Sequence, residues 1–102
     1  MLENLPDGFD ATWTGLAEPP VILFWPETGV RATMSVDAPG RFIVAATLPG
    51  TDAVAVEPQT HAPDGLRRRA RGEPGGLTLI PPGESLELSV LLAFDLVNRP
   101  AR

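Results

Sequence analysis

Residues 21–36 read VILFWPETGVRATMSV, and this stretch decides the fold class. A continuous apolar run, Val21–Trp25, leads through a Pro-Glu-Thr-Gly turn into residues 30–36, where apolar and polar side chains alternate. Alternation with a period of two is typical of a strand with one buried face, and Pro and Gly mark turns. We therefore predict a β-hairpin with one face in the core.

A second hairpin is predicted directly after the first. Residues 41–48 (RFIVAATL) and 53–57 (AVAVE) are joined by Pro49-Gly50-Thr51-Asp52. The Pro-Gly start of this connection favours a tight turn. The first of the two strands has apolar residues at consecutive positions, so we expect it to be buried on both faces.

The last predicted strand is the clearest in the chain. A short strand at residues 77–80 leads through Pro81-Pro82-Gly83 into residues 84–96, ESLELSVLLAFDL. Five apolar residues at every second position lie on one face of the strand: Leu86, Leu88, Val90, Leu92 and Phe94.

Between these strands, residues 58–76 contain no periodic apolar pattern, and we predict a long loop. Loops of this length in compact domains are usually functional or mobile. Its arginine-rich run, residues 67–71, is interpreted as a solvated loop tip, with contact to an anion or a partner as the alternative. The 12 Pro and 10 Gly residues leave no room for a helix of ordinary length. The fold class predicted is all-β, an antiparallel β-sandwich of about six strands in a single domain spanning residues 1–102.

Composition excludes several classes of function. A net charge of −5 argues against nucleic acid as a partner, and the chain has no Cys for a disulfide or a thiolate metal site. The longest apolar run is too short to span a membrane, and residues 1–10 lack the features of a signal peptide, so we expect a cytoplasmic protein. We predict no metal and no cofactor, because one His and scattered carboxylates form no recognisable ligand set.

Three segments together resemble the C-terminal region of the aldose 1-epimerase (galactose mutarotase-like) family. The first is FDATWTGL at residues 9–16, the second AVAVEPQTHAPDG at residues 53–65, and the third LTLIPPGESLELSVLLAF at residues 77–94. Each motif is weak alone, and their order and spacing over some eighty residues carry the resemblance. It implies that this chain corresponds to the C-terminal part of the family's larger β-sandwich.

The family interconverts the anomers of an aldose such as glucose or galactose. A base takes the proton from the C1 hydroxyl while an acid protonates the ring oxygen. The resemblance assigns the base to Glu57, in an apolar-Glu-Pro step at a predicted strand end. It assigns hydrogen bonds with sugar hydroxyls to Asp10. Gln59 and His61 follow the base at alternating positions and are further candidates for substrate binding. Each of these residues also has a structural interpretation, as a surface or strand-end residue.

The family's acid is a His that lies before the region matched here, and its sugar-orienting Arg and second His also lie there. His61 is the only His in this chain, and its position four residues after Glu57 does not match that acid. We therefore expect a truncated relative that is inactive by itself and is completed by a homodimer or by a complementing chain.

Two further hypotheses stay open. In one, the chain is a non-catalytic carbohydrate-binding module in which Trp13 or Trp25 stacks on the sugar, although core packing is the commoner role for such residues. In the other, it is a remnant or a self-assembling β-module without a ligand.

Overall fold

The computed structural model describes residues 5–97; residues 1–4 and 98–102, the two ends of the predicted domain, lie outside the described residues. Six strands and one short helix follow one another along the chain: β1 (Asp10–Thr14), β2 (Val21–Trp25), β3 (Val30–Asp37), β4 (Phe42–Thr47), β5 (Val54–Gln59), α1 (Gly65–Ala70) and β6 (Ser89–Leu96). No helix among the described residues is long and apolar enough to cross a membrane.

The strands form two antiparallel sheets of three, with orders β1-β4-β5 and β2-β3-β6. The predicted all-β, sandwich-like fold is confirmed. Both hairpins form as predicted, with Trp25 opposite Val30 across the first turn and Thr47 opposite Val54 across the second. Gly29 closes the first turn with a φ of 73°, a left-handed conformation that glycine adopts without steric cost.

The core lies between the two sheets and is small. Met34, Val36 and Ile43 are buried, and half-buried Trp13 and Val56 pack around them. Strand β4 is the central strand of its sheet, and all six of its residues are buried or half-buried, as its sequence predicts. The radius of gyration is 16.5 Å, against the roughly 13 Å expected for a compact domain of this length. The chain therefore folds into an elongated body around a limited core.

Arg41 joins the two sheets at their polar margin. Its guanidinium forms an ion pair with Glu18 and donates hydrogen bonds to the carbonyl oxygens of Leu16 and, at 3.4 Å, Val36. One planar group with several donors thus fixes the β1–β2 connection against the end of β3.

Two predictions about the C-terminal half are wrong. Residues 77–80 form no strand, and the last strand begins at Ser89 rather than at residue 84. The register explains the second difference, because Ser89 pairs with Asp37, the last residue of β3. The chain then turns at Pro39 and Gly40, so the β3–β6 ladder ends at this pair and residues 84–88 are not part of it.

The predicted loop at residues 58–76 is also corrected. Strand β5 continues through Pro58 to Gln59, and the arginine-rich run contributes to α1 instead of forming an irregular tip. Proline is tolerated in β5 because β5 is an edge strand with one row of backbone groups free of ladder bonds. Helix α1 is short, and Arg68 is held to Asp64 across one turn by a 2.7 Å ion pair.

Candidate functional site

The outer face of the β1-β4-β5 sheet collects most of the predicted site residues. Three rows run across this sheet in its hydrogen-bonding direction, Asp10–Ala46–Ala55, Thr12–Val44–Glu57 and Thr14–Phe42–Gln59. Residues opposite each other in a ladder point to the same side, and residues two apart in one strand do too. We call the face formed by these nine residues the outer face.

The outer face has a polar margin on each side and an apolar centre. Strand β1 presents Asp10 and two threonines, and β5 presents Glu57 and Gln59. Between them, β4 presents only Phe42, Val44 and Ala46, of which Val44 is buried and the other two are half-buried. Carbohydrate sites combine apolar surface for C–H groups with hydrogen-bonding groups for hydroxyls, so this arrangement has the right chemistry for a small polar ligand with an apolar face.

Asp10 and Glu57 lie on opposite margins of this face. Two strand spacings and two residues of rise separate their Cα atoms, which amounts to about 12 Å. The two carboxylates are therefore not a directly interacting pair, and a ligand lying between them could bond to both. The backbone of Phe9 fixes the start of β1, since its N–H and carbonyl bond to the hydroxyl and N–H of Thr47, each at 2.9 Å.

Glu57 is exposed and lies inside β5, with two more strand residues after it, so the predicted position at a strand end is corrected. Its Oε1 accepts a hydrogen bond of 3.4 Å from Nε2 of Gln59. The ion pairs found in residues 5–97 join Arg31 to Asp95, Arg41 to Glu18 and Arg68 to Asp64, and none of them includes Glu57. Its carboxylate therefore has acceptor capacity left for a ligand hydroxyl.

His61 lies beyond the end of β5, away from the ladder that positions Glu57 and Gln59. Its Nδ1 is 3.2 Å from the hydroxyl oxygen of Thr60. Its ring lies over the first residue of α1, where a Cβ built on Gly65 would be 3.2 Å from Cδ2 of His61. Among the described residues, no hydrogen bond joins His61 to Glu57 or Gln59. The structure therefore brings Asp10, Glu57 and Gln59 to one face and leaves His61 at its border.

A tightly packed segment closes the Gln59 end of the outer face. Ala62 is buried, and its N–H donates a 2.9 Å hydrogen bond to the carbonyl oxygen of Gly75. A Cβ on Gly75 would stand 2.8 Å from the carbonyl oxygen of Gly65, and one on Gly76 would stand 2.4 Å from Cε2 of Phe42. Gly75 thus allows close packing against Gly65 within the segment, and Gly76 allows the segment to approach Phe42 on the sheet, so the segment forms a wall beside Phe42.

Sequence reasoning missed several parts of this site. The threonines of β1 and the apolar centre of β4 form no recognisable sequence motif, because only the pairing of three strands brings them to one face. The Gly75-Gly76 pair was visible in the sequence, and paired glycines outside a hairpin turn are a signal for close backbone approach. Within residues 5–97, no group of three or more His, Cys, Asp or Glu side chains is arranged to hold a metal ion.

Comparisons with protein-family models, with curated proteins and with solved structures found no match for this chain.

Proposed function

We propose that this chain supplies the base-bearing face of an aldose 1-epimerase-like site, which binds an aldose and removes the proton from its anomeric hydroxyl. The observation that carries the proposal is the outer face, on which Asp10, Glu57 and Gln59 surround an apolar centre. They are three of the four site residues predicted from the sequence; the fourth, His61, lies beyond the end of β5. Chain segments far apart in sequence thus contribute them to one surface.

The proposed chemistry begins with the sugar ring lying over half-buried Phe42 and Ala46, which flank the buried Val44. Asp10 accepts hydrogen bonds from ring hydroxyls on one side, and Gln59 both donates and accepts on the other. The carboxylate of Glu57 takes the proton from O1, the electron pair released forms the C1=O double bond, and the C1–O5 bond breaks. Rotation about C1–C2 and the reverse steps then give the other anomer.

The ring oxygen O5 must gain a proton as its bond to C1 breaks, because an alkoxide is a poor leaving group near neutral pH. Among residues 5–97 the only imidazole is that of His61, which lies against Gly65 and Thr60 beyond the strand end. In the proposed function another chain or water supplies this proton. The chain by itself therefore binds the aldose and accelerates mutarotation weakly or not at all.

Binding is tested first, by NMR titration of the ¹⁵N-labelled chain with glucose and with galactose. We expect chemical-shift changes at the amides of β1 and β5 that face the sugar, centred on Asp10 and Glu57. The variant Glu57→Gln removes the charge at nearly the same volume and should weaken binding by roughly tenfold, the loss of one charge-assisted hydrogen bond. Glu27→Gln is the matched control, because Glu27 is an exposed carboxylate in the β2–β3 turn of the other sheet.

Catalysis is tested next, by polarimetry of α-glucose and α-galactose over the spontaneous rate. Acceleration by the wild type that is lost in Glu57→Gln and kept in Glu27→Gln would support a working base. Binding without acceleration would leave a non-catalytic carbohydrate-binding module. The absence of shift changes on the outer face at high sugar concentration would reject both functions.

A further inference from the structure

The last strand, β6, is exposed along its whole length, although four of its residues belong to the apolar face of its sheet. Leu92 pairs with Met34 and Val90 with Val36, so these side chains point to the same side as the core. We call Val90, Leu92, Phe94 and Leu96 the open strip. Their exposed fractions are 42%, 49%, 66% and 76%.

The open strip is the part of the core-facing side of the β2-β3-β6 sheet that the other sheet does not cover. The β3 residues on this face, Ala32, Met34 and Val36, are at most 8% exposed. Ile43 and Trp13 of the other sheet pack in one cluster with Met34 and Val36. Strand β6 lies one strand further out, at the edge of the sheet. The β1-β4-β5 sheet therefore covers one side of the apolar face and leaves β6 bare.

We propose that a second copy of this chain covers the open strip, with two strips facing each other across a two-fold axis. The strip carries no charge, so a copy of itself brings no like charges together. Asp95, which lies between Phe94 and Leu96 in sequence, points to the other face of β6, and its carboxylate accepts hydrogen bonds from Nε and Nη2 of Arg31, the first at 3.0 Å. Glu18, which lines a pocket together with Val90 at one end of the strip, is paired with Arg41.

The area of the strip is consistent with a dimer. If a large apolar residue exposes roughly 150–200 Å² when free, the strip leaves about 400 Å² open on each chain. Two copies that covered every strip residue completely would bury about 800 Å², and Trp25 on the same face would bring the total close to about 1,000 Å², the lower limit for a specific interface. Two strips facing each other at the ordinary sheet spacing of about 10 Å would continue the sandwich from one chain into the next.

Face-to-face contact and edge-to-edge pairing of β6 predict different effects of substitution. Phe94 is 66% exposed on the strip, and Leu91 is 67% exposed on the opposite face of the same strand. Phe94→Asp would place a charge inside the proposed interface and should raise the dimer dissociation constant by at least roughly 100-fold. Leu91→Asp adds the same charge to the same strand outside the interface and should leave the constant within a few-fold.

Sedimentation equilibrium of the wild type and both variants tests the proposal. We expect a dimer for the wild type and Leu91→Asp, and a monomer for Phe94→Asp. A monomeric wild type at 100 µM would overturn the proposal and would favour a complementing chain of different sequence. Equal effects of both variants would overturn it in favour of edge pairing.

Cross-linking provides a measurement that does not depend on how well Phe94→Asp folds. The chain contains no Cys, so a single introduced thiol is unique. A short bismaleimide should join two chains of Leu92→Cys, whose thiols meet across the interface, and should join those of Leu91→Cys far less. Equal yields from the two positions would contradict the proposed face. The inference does not depend on the proposed sugar site, which lies on the other sheet.

Discussion

Replacing Gly76 by Ala tests how the segment at residues 60–76 is held against the sheet. Gly76 has a φ of +73°, and a Cβ there would stand 2.4 Å from Cε2 and 3.1 Å from Cζ of Phe42. The left-handed conformation costs an alanine about 1 kcal/mol, and forcing a methyl group into a packed contact costs about 1–3 kcal/mol more. We expect Gly76→Ala to lower the free energy of unfolding by about 2–4 kcal/mol.

The matched control is Gly72→Ala. Gly72 has nearly the same φ, +74°, and nothing lies within 4 Å of the position of its Cβ. It should show the backbone cost alone, about 1 kcal/mol. The difference between the two variants therefore isolates the contact with Phe42.

Urea unfolding followed by tryptophan fluorescence measures both variants, because half-buried Trp13 packs on the core. In thermal unfolding, a difference of about 1–3 kcal/mol corresponds to a gap in Tm of about 5–20 °C for a domain of this size. If the two variants differ by less than about 0.5 kcal/mol, which is the range of an ordinary surface substitution, the packing of Gly76 on Phe42 is not as described.

Two further predictions concern the core and the pH dependence. Ile43 is 3% exposed between the sheets, so Ile43→Ala should lower the free energy of unfolding in urea by about 2–4 kcal/mol. Ile22 is 59% exposed, so Ile22→Ala should lower it by under about 1 kcal/mol. Equal losses would contradict the assigned core. The hydrogen bond from Arg31 and its charge lower the pKa of Asp95. This ion pair therefore stabilises the fold at pH values above the ordinary pKa of Asp, and the stabilisation is lost as the pH falls through the lowered pKa. Carboxyl NMR titration should show that Arg31→Gln returns the pKa of Asp95 toward its ordinary value, and an unchanged pKa in that variant would refute the pairing.

The strands were predicted where pattern and turn chemistry agreed. Residues 21–36 and 41–57 contain both signals, and both hairpins form there. The strand predictions were wrong where a segment with a strand pattern has no neighbouring strand to pair with. Residues 84–88 continue the alternation of β6, but β3 ends opposite Ser89, so no ladder can extend past it. Periodicity indicates which face a residue would occupy and cannot indicate where a neighbouring strand ends.

The residues of the candidate site were predicted from the sequence, but their arrangement depends on strand pairing. The sequence nominated Asp10, Glu57, Gln59 and His61 by their resemblance to a family pattern. Pairing of β1 and β5 with β4 put the first three on one face of a sheet, a relation between residues almost fifty positions apart. His61 continues the alternation of β5 in sequence, but the strand ends at Gln59 and the chain turns toward α1. Its predicted place beside the base is not supported by any described contact.

The sequence by itself determined the fold class and the two hairpins, because alternation and turn chemistry are local properties of a few neighbouring residues. It also determined that β6 has one apolar face. Only the tertiary structure decided that this face is left bare in a single chain, because burial depends on which sheet lies above a strand. It likewise decided that the apolar centre of β4 lies between Asp10 and Glu57, with Thr12 beside Asp10 on the β1 margin. Register and layer packing join residues that are distant in sequence, and no local pattern contains that information.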